Sequence, residues 1–279
     1  VAQHEIETID CLISTWGSSN TKALTGADAA KQARASAARR PWFTTFMKRT
    51  ATPVGKKVFL KLETNHGVTG WGEIDQLEMQ TAATLARSLF ELLDGENPTR
   101  IEHLWQKIYR SHRDMRGGPF MTHTLAGIDM ALWDITGKLW GVPAYRLMGG
   151  PTRDKVLVYP SAKATKVGAG PMPFGGSPEQ LQRFVQMVEQ ARKQVGPDGL
   201  VMFDAHCALP PPFLIQLASL LKPYELLYLE EPAVPGNIEV FKRLKQQIAI
   251  PFAVGEQART IWEVVQYLQE GVADILQID

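Results

Sequence analysis

Short apolar runs alternate with longer amphipathic stretches through the C-terminal half of the chain. The runs at 201–204, 226–230 and 252–256 recur every 26 residues, and a further run occupies 274–279. Buried parallel strands appear in sequence as short apolar runs, with a helix between each pair. Units of this length suit a (β/α)₈ barrel, whose eight repeats need about 200 residues or more. The pattern therefore predicts an α/β fold of the (β/α)₈ type, visible in this chain only through its sixth strand.

The helices of this half are marked by 3.6-residue periodicity and by one clear start signal. Ser177-Pro178-Glu179-Gln180 has the form of a capping box, with Pro at the first helical position and Gln three residues after the cap. Three further helices are predicted at 212–221, 238–247 and 261–270.

Two features of this half conflict with a complete barrel. Residues 156–162 and 163–168 both have strand patterns but adjoin directly, although parallel neighbours need a crossover of a dozen or more residues. The chain also stops at its sixth strand, which would leave two apolar edges exposed. We therefore expect a gap near 162–163, and a barrel that is incomplete at its C-terminal end because this sequence is part of a longer one.

The N-terminal half has a different order of elements. Strands are predicted at 4–13, 57–64 and 68–73, the last two joined by the turn Asn65-His66-Gly67, and helices follow at 77–93, 101–110 and 122–140. Strands followed by helices indicate an α+β domain, which we place at residues 1–118, with the barrel at 119–279. The Ser/Ala/Thr/Gly-rich stretch between Ser14 and Trp42 is interpreted as a mobile loop with a short helix, or as a plain surface linker.

Composition narrows the function classes. The chain has 279 residues, 44% of them hydrophobic and 21% charged, with a net charge of +1. Without a basic stripe, neither nucleic acid nor a membrane surface is an expected partner. Cys11 and Cys207 do not suggest a disulfide framework. A cytoplasmic location is the default expectation, and a leader ahead of Val1 stays open.

Three acidic residues end three of the apolar runs at the same phase. Asp204, Glu230 and Glu256 would converge above the C-terminal ends of adjacent parallel strands, where such barrels keep their active sites. A single acidic residue at a strand end commonly faces solvent. Three at equal spacing would repel one another without a cation between them, and hard oxygen ligands favour Mg²⁺ or Mn²⁺. The spacing therefore favours a metal site.

The motifs around these residues resemble the enolase superfamily, in its mandelate racemase / muconate lactonizing enzyme branch. The resemblance rests on Asp204-Ala-His206, Glu230-Glu231-Pro232, Gly255-Glu256, Asp279, Gly127–Lys138, Gly141–Pro143, Leu147–Gly150 and Gly67–Glu73. It is nearest to the sugar-acid dehydratases of the galactonate and mannonate type. It implies that the α+β domain caps a modified TIM barrel and that Asp204, Glu230 and Glu256 bind Mg²⁺.

The resemblance also implies three catalytic candidates. In racemases of this branch the second strand carries Lys-x-Lys; here the matching stretch is Ala164-Thr165-Lys166, which keeps only the second lysine. His206 matches the residue that protonates a departing 3-hydroxyl in the dehydratases, and it could instead serve only as a hydrogen-bond partner. Asp279 matches the aspartate that orients a catalytic histidine on a seventh strand.

Other polar residues are candidates for substrate binding. Arginine suits a carboxylate through its bidentate fork, and a tryptophan in the N-terminal loop could close over a ligand. The candidates are Trp16, Arg113, Arg116 and Arg259. Glu231 is expected to lie outside the set of metal ligands.

The leading functional hypothesis is an Mg²⁺-dependent dehydratase of an aldonate-like sugar acid, a hydro-lyase that forms a 2-keto-3-deoxy acid through an enolate intermediate. A racemase or epimerase of a 2-hydroxy acid, with Lys166 as a base, is the alternative on the same scaffold. A non-catalytic metal-binding homologue is a third interpretation, which the missing first lysine motivates. The expected partners are a small acid-sugar substrate and further copies of the chain in a homo-oligomer.

Overall fold

The computed structural model describes residues 6–15, 56–74, 79–170 and 176–278. The chain divides into two compact units, Val1–Asp154 and Lys155–Asp279. The predicted boundary at 118/119 differs from this division, because the helix that begins at Pro119 packs on the N-terminal sheet. Trp16, Asp279 and the predicted loop from residue 16 to residue 42 lie outside the described residues.

The first unit contains an antiparallel sheet with the strand order β1-β2-β3. Its strands are β1 (Ile6–Thr15), β2 (Lys56–Thr64) and β3 (Thr69–Ile74). The β2–β3 connection is the predicted tight turn, in which Gly67 adopts a φ of +73° and its N–H donates to Thr64 O at 2.9 Å. The predicted hairpin is therefore confirmed.

Four helices follow in the first unit, and the sequence predicted the three long ones to within a few residues at each end. They are α1 (Met79–Phe90), α2 (Ile101–Ser111), α3 (Pro119–Trp140) and α4 (Ala144–Leu147), with a 3₁₀ turn at Arg113–Met115. In the described part of the chain, no helix combines the length and the hydropathy that a membrane span needs.

Helix α3 crosses the sheet at two glycines of β3. A Cβ atom on Gly70 would lie 2.1 Å from Ala131 O, and one on Gly72 would lie 1.8 Å from Gly127 O. Only glycine allows backbones to approach this closely. The buried side chains of this unit, among them Leu60, Leu62, Phe90 and Ile128, fill the space between the sheet and its helices.

The second unit alternates strands and helices around one parallel sheet with the order β4-β5-β6-β7-β8. The strands are β4 (Ala164–Gly168), β5 (Leu200–Asp204), β6 (Tyr228–Glu230), β7 (Phe252–Val254) and β8 (Ile275–Leu276). The helices between them are α5 (Pro178–Val195), α6 (Pro211–Leu221), α7 (Ile238–Gln247) and α8 (Ile261–Gln269), and a 3₁₀ turn occupies Lys222–Tyr224.

The two faces of this sheet carry different side chains. Val201 and Phe203 on β5 pack in the large core that includes the helices, whereas Met202 packs with Tyr228 and Ala253 in a small separate cluster. Because strand side chains alternate, Asp204 lies on the same face as Met202. The parallel register pairs Asp204 with Glu230, so their carboxylates end adjacent strands on one face.

The predicted strand at 156–162 was wrong. Residues 156–160 form no strand, and Val156, Leu157 and Val158 are 71%, 65% and 65% exposed. The only pairing in this stretch is a turn in which Ser161 N donates to Ala164 O at 2.8 Å. A parallel neighbour of β4 needs a crossover of a dozen or more residues, whereas the turn at Ser161–Ala164 joins this stretch directly to β4.

The predicted capping box at the start of α5 is confirmed.

An arginine near the end of the same helix, Arg192, donates hydrogen bonds to backbone carbonyls of two loops. Arg192 donates to the carbonyl oxygens of Gly196 and Pro197, and its Nη2 donates to Tyr224 O at 2.8 Å. Its remaining acceptors are the carbonyl oxygens of Gly199 and Glu225. One side chain thus satisfies carbonyls in the loops that lead into β5 and β6.

We expect Arg192→Met to lower the free energy of unfolding by about 2–4 kcal/mol, because several carbonyls lose a charged donor at once. Arg192→Lys should recover only part of this, since an ammonium cannot span acceptors on two loops. Lys193→Met is the matched control: Lys193 is 72% exposed and pairs only with Glu189 one turn away, so we expect less than about 0.5 kcal/mol. Urea unfolding measures all three, and equal losses for Arg192→Met and Lys193→Met would contradict the assignment.

Candidate metal centre

Three carboxylates meet at the C-terminal ends of β5, β6 and β7. One oxygen each from Asp204, Glu230 and Glu256 lies within 4.8 Å of the others. Asp204 and Glu230 are almost fully buried, at 2% and 1% exposure. Ligand oxygens around Mg²⁺ at 2.0–2.1 Å stand roughly 3–4 Å apart, so small side-chain rotations bring this set to one ion. The number, hardness and spacing of these donors fit a divalent cation.

Glu256 reaches the cluster through an irregular backbone rather than by strand alternation. Ala253 lies on the inner face, so strict alternation would turn Glu256 away from it. Strand β7 ends at Val254, and Gly255 has a φ of +128°, a conformation that other residues rarely adopt. A Cβ atom on Gly255 would also lie 2.9 Å from Gln277 O. Gly255 therefore sets the direction of the third carboxylate.

Lys166 pairs with two of the three carboxylates. Its Nζ lies 3.0 Å from Asp204 Oδ2, and 2.7 Å and 2.8 Å from the two oxygens of Glu230. Burial alone would lower the pKa of Lys166, but its hydrogen bonds to Glu230 and Asp204 outweigh burial and raise it well above the usual value. In this arrangement Lys166 is a charged counter-ion of Asp204 and Glu230, two members of the three-acid cluster.

Of the three acids in the cluster, Glu256 has a clearly raised pKa. Burial, and then repulsion from Glu231, Asp204 and Glu230, raises the pKa of Glu256 from 4.5 to about 7. Without a divalent cation, this carboxyl therefore holds a proton at pH values at which an ordinary glutamate is ionised. A cation bound by the three residues would favour its ionised form.

A pH dependence of stability follows from this shift. Because the folded protein binds the proton of Glu256 more tightly than the unfolded chain, stability without metal should fall as the pH rises from about 4.5 to about 7. Thermal unfolding in chelator at pH 5 and pH 7.5 measures the fall. Glu256→Gln should show a smaller fall, and saturating Mg²⁺ should oppose it. An increase in melting temperature over this range that disappears in Glu256→Gln would contradict the sign.

His206 lies beside the first carboxylate. Its Nε2 is 3.0 Å from Asp204 Oδ2, and its backbone N–H donates to Asp204 Oδ1 at 2.9 Å. The ring is 46% exposed, so it is open to a ligand on its outer side. The sequence predicted this position from strand alternation, but the structure reaches it by a left-handed residue, since His206 has a φ of +48°.

Glu231 belongs to a second hydrogen-bonded group next to the carboxylates. Cys207 Sγ donates to Glu231 Oε2 at 2.7 Å, and the Gln257 amide donates to the same oxygen. Burial raises the pKa of Glu231, as does repulsion from Asp204 and Glu230, while the two hydrogen bonds oppose the rise. Sequence reasoning placed Glu231 outside the ligands but missed Gln257 and the contact of Cys207, because neither stands at a strand-end position in an apolar run.

The three predicted substrate-binding arginines belong to different units of the chain. Arg113 and Arg116 belong to the first unit; Arg113 is 80% exposed and pairs with Asp114, and Arg116 donates to Arg113 O. Arg259 lines a cavity of about 320 Å³ with Val234, Pro235, Gly236, Ile238, Gln257, Ala258, Glu263, Gln266 and Tyr267. Its guanidinium lies 3.8 Å from Glu263, but its buried Nε has no hydrogen-bond partner within the part of the chain that the structure describes. The roles of these arginines stay predictions.

A parallel β/α sheet with carboxylates at three successive strand ends is the arrangement found at the C-terminal face of TIM-type barrels, and its three acids could hold a metal ion. Comparison with protein-family models identifies the family. Residues 155–279 match the family of enolase C-terminal domain-like proteins, and residues 28–149 match the mandelate racemase / muconate lactonizing enzyme N-terminal domain. The chain belongs to the mandelate racemase / muconate lactonizing enzyme family of the enolase superfamily, and its fold is a TIM-like barrel with an N-terminal capping domain.

Individual relatives point in the same direction. The chain is 34% identical to the D-galactonate dehydratase of Pectobacterium atrosepticum over 244 residues, and 35% identical to that of Klebsiella pneumoniae. Each match covers 80% of this chain and 64% of the relative, so the chain spans less than two thirds of these enzymes.

Solved structures agree on the fold. An enolase from Pantoea ananatis with bound D-gluconate and Mg matches with a TM-score of 0.69 at 26% identity, over 80% of this chain and 67% of that one. A member of the enolase superfamily from Salmonella Typhimurium gives a TM-score of 0.71 at 26% identity, over 81% and 69% of the two chains.

Proposed function

We propose that this protein is an Mg²⁺-dependent hydro-lyase that converts an aldonate-like sugar acid to a 2-keto-3-deoxy acid through an enolate intermediate. The observation that carries the proposal is the placement of His206 on the same carboxylate, Asp204, that belongs to the three-acid cluster. The D-galactonate dehydratases that the chain resembles support this reaction. The enolase with bound D-gluconate and Mg supports the ligand class and the metal.

The roles of the carboxylates follow from their geometry. Asp204, Glu230 and Glu256 would hold Mg²⁺, with Mn²⁺ as a substitute that offers the same preference for oxygen. A bound ion would supply positive charge that offsets the negative charge developing on the substrate carboxylate. Asp204 and Glu230 are almost fully buried, and charges interact more strongly in such a setting than in water.

His206 supplies the acid for the second half of the reaction. The imidazolium gives its proton to the 3-hydroxyl, the C3–O bond breaks, and water leaves. The electron pair left at C2 by removal of the α-proton forms the C2–C3 double bond of an enol, which becomes the 2-keto-3-deoxy acid. Asp204 keeps the ring of His206 oriented through the contact at Nε2. The family resemblance implies that the base would be a histidine oriented by Asp279; no residue between His206 and Asp279 is a histidine, so we assign the base to no residue of this sequence.

The site contains one observation that favours the second candidate, a racemase or epimerase. Lys166 lies among the carboxylates, where a base for the racemase or epimerase reaction would be placed. Its Nζ is held by hydrogen bonds to Asp204 and Glu230, whereas the His206 ring is beside Asp204 and open on its outer side. We therefore place dehydration first.

Steady-state assays of the complete protein with a set of aldonates and aldarates test the proposal. Formation of a 2-keto acid supports dehydration, and exchange of configuration without loss of water supports the alternative. If the Mg²⁺-bound protein introduces no solvent deuterium at C2 of any sugar acid, the protein is a non-catalytic homologue.

Lys166→Met should separate the counter-ion role from catalysis. In chelator the variant should be less stable, because Asp204 and Glu230 lose their positive partner in a buried setting. Mg²⁺ should bind the variant about tenfold more tightly, because the ion no longer has to displace the Lys166 ammonium from Asp204 and Glu230. An ammonium and a carboxylate about 4 Å apart attract each other by about 4 kcal/mol at an effective dielectric of 20, and we expect only part of this energy to appear as tighter Mg²⁺ binding. Calorimetric titration with Mg²⁺ measures the affinity, and Lys163→Met, on an exposed side chain of the same segment, is the control. Weaker Mg²⁺ binding in Lys166→Met would contradict competition.

A further inference from the structure

The turn that carries His206 has an unusual backbone. His206 and Cys207 are consecutive residues with φ values of +48° and +54°, in the left-handed region that L-residues with a side chain rarely occupy. Such conformations cost about 1–3 kcal/mol each and persist only where surrounding contacts fix them. The contacts that fix this turn are therefore the contacts that place His206.

Cys207 makes those contacts with the end of the neighbouring strand. Its N–H donates to Glu231 O at 3.0 Å, and its thiol lies 2.7 Å from Glu231 Oε2 and 3.1 Å from Ala233 O. Glu231 itself has a φ of +46°. The left-handed segments after β5 and after β6 are thus joined by one backbone hydrogen bond and by the side chain of Cys207.

The third strand end joins the same group. The amide of Gln257, three residues after β7, donates to Glu231 Oε2 and approaches Cys207 Sγ at 3.3 Å. Glu231 is only 4% exposed, so its carboxylate depends on these neutral donors. Removing one donor leaves a buried carboxylate oxygen short of a partner, which costs more than an ordinary hydrogen bond contributes.

The ring of His206 has little else to hold it. Nearly half of the side chain is exposed, its polar contact among the described residues is Asp204 Oδ2, and its Cε1 lies beside Gly168, where an added Cβ would be 3.1 Å away. Asp204 would also bind the metal, so this contact alone cannot determine the position of the ring. The backbone turn supplies the remaining constraint.

We propose that Cys207 is a positioning residue for His206, acting with Gln257 through the Glu231 carboxylate. The effect on turnover rests on the proposed dehydratase function, whereas the effect on the conformation of His206 does not. The thiol stays protonated in this role, because burial and the hydrogen bond to Glu231 raise the pKa of Cys207 well above its usual value. The chemistry required at this position is a small neutral donor.

The test compares Cys207→Ala with Cys207→Ser in the complete protein. Serine keeps a donor, and the 2.7 Å separation leaves its shorter Cβ–O bond within hydrogen-bond range of Glu231. In NMR spectra of protein with labelled histidine, we expect the His206 ring signals to shift or broaden in Cys207→Ala and to return in Cys207→Ser. His206→Asn identifies those signals, and the signals of His103, His112 and His123 in the first unit are internal controls.

Kinetics supply the second readout. We expect Cys207→Ala to lower kcat for dehydration about tenfold or more with KM and Mg²⁺ affinity within about twofold, because small misplacements of an acid are costly to turnover. Cys207→Ser should restore most of kcat. Unchanged His206 signals in a folded Cys207→Ala, or equal impairment of the two variants, would overturn the proposal.

Two further outcomes have defined meanings. If Cys207→Ala does not fold, Gln257→Leu removes the other donor from the same oxygen and should shift the His206 signals; unchanged signals there would overturn the proposal. If the unmodified protein dehydrates no sugar acid, the proposed function fails, and the NMR comparison still decides whether Cys207 positions His206.

Discussion

Glu256→Gln is expected to weaken Mg²⁺ binding by more than about 100-fold, and Glu231→Gln by about 10–100-fold or less. Loss of groups that only support the ligands typically costs 10–100-fold, so loss of one of three charged ligands should exceed that range. The two glutamates are a suitable pair because each lies close to Asp204 and Glu230, yet only Glu256 has an oxygen in the three-acid cluster. Titration calorimetry with Mg²⁺ gives both affinities directly.

Removal of the metal from the unmodified protein is the companion measurement. Exhaustive chelation should abolish activity and lower the melting temperature at pH 7.5, because the clustered carboxylates then repel one another and a ligand that binds only the folded state is gone. Equal loss of Mg²⁺ affinity in Glu256→Gln and Glu231→Gln would contradict the choice of Glu256 over Glu231 as the third ligand. If activity and melting temperature are both unchanged after chelation, the proposed role of the metal in the reaction is wrong.

The positions of the carboxylates were predictable because two simple periodicities determine them. A parallel strand that is buried on both faces is a short apolar run, and the residue that ends it lies at the C-terminal edge of the sheet. Asp204 and Glu230 obey this rule, and their side chains share a face because they are register partners. The family resemblance gave the same residues independently of the spacing.

Glu256 lies in its predicted place beside Asp204 and Glu230, but for a reason that the sequence did not show. The strand was expected to extend through residue 256, but β7 ends at Val254, and the left-handed Gly255 turns the carboxylate inward. A left-handed residue changes the direction of every side chain that follows, and no apolar pattern reveals it. His206, at a φ of +48°, reached its predicted place in the same way.

Other parts of the site depend on contacts between segments that are distant in sequence. The hydrogen bonds of Glu231 with Cys207 and Gln257 join residues that lie 24 and 26 positions away. Lys166 was predicted near the site, but its pairing with Asp204 and Glu230 needs three strands to assemble first. The apolar run at 156–160 shows the opposite failure: its pattern predicts a strand, but it joins β4 through a tight turn that leaves no crossover for parallel pairing.

His206→Asn is expected to abolish formation of the 2-keto acid while exchange of the α-hydrogen with solvent continues. The proton and the hydroxyl leave from different carbons, and each catalytic group must lie within hydrogen-bond reach of its own target. His206 would serve only the hydroxyl, so its loss should lower dehydration by about 10²–10⁴-fold, the usual contribution of a general acid. Asparagine keeps a donor near Asp204 and preserves the backbone N–H that bonds Asp204 Oδ1 at 2.9 Å.

The measurement is NMR of deuterium entering C2 in D₂O, on a substrate that the unmodified protein dehydrates, with Mg²⁺ affinity determined in parallel. Retained exchange with lost dehydration assigns the acid to His206 and the base to another residue. Loss of both, with Mg²⁺ affinity intact, would mean that His206 itself takes part in proton removal, and full dehydration would exclude a catalytic role. Lys166→Met is the useful comparison in the same assay: if Lys166 is a counter-ion rather than the base, exchange continues in that variant as well.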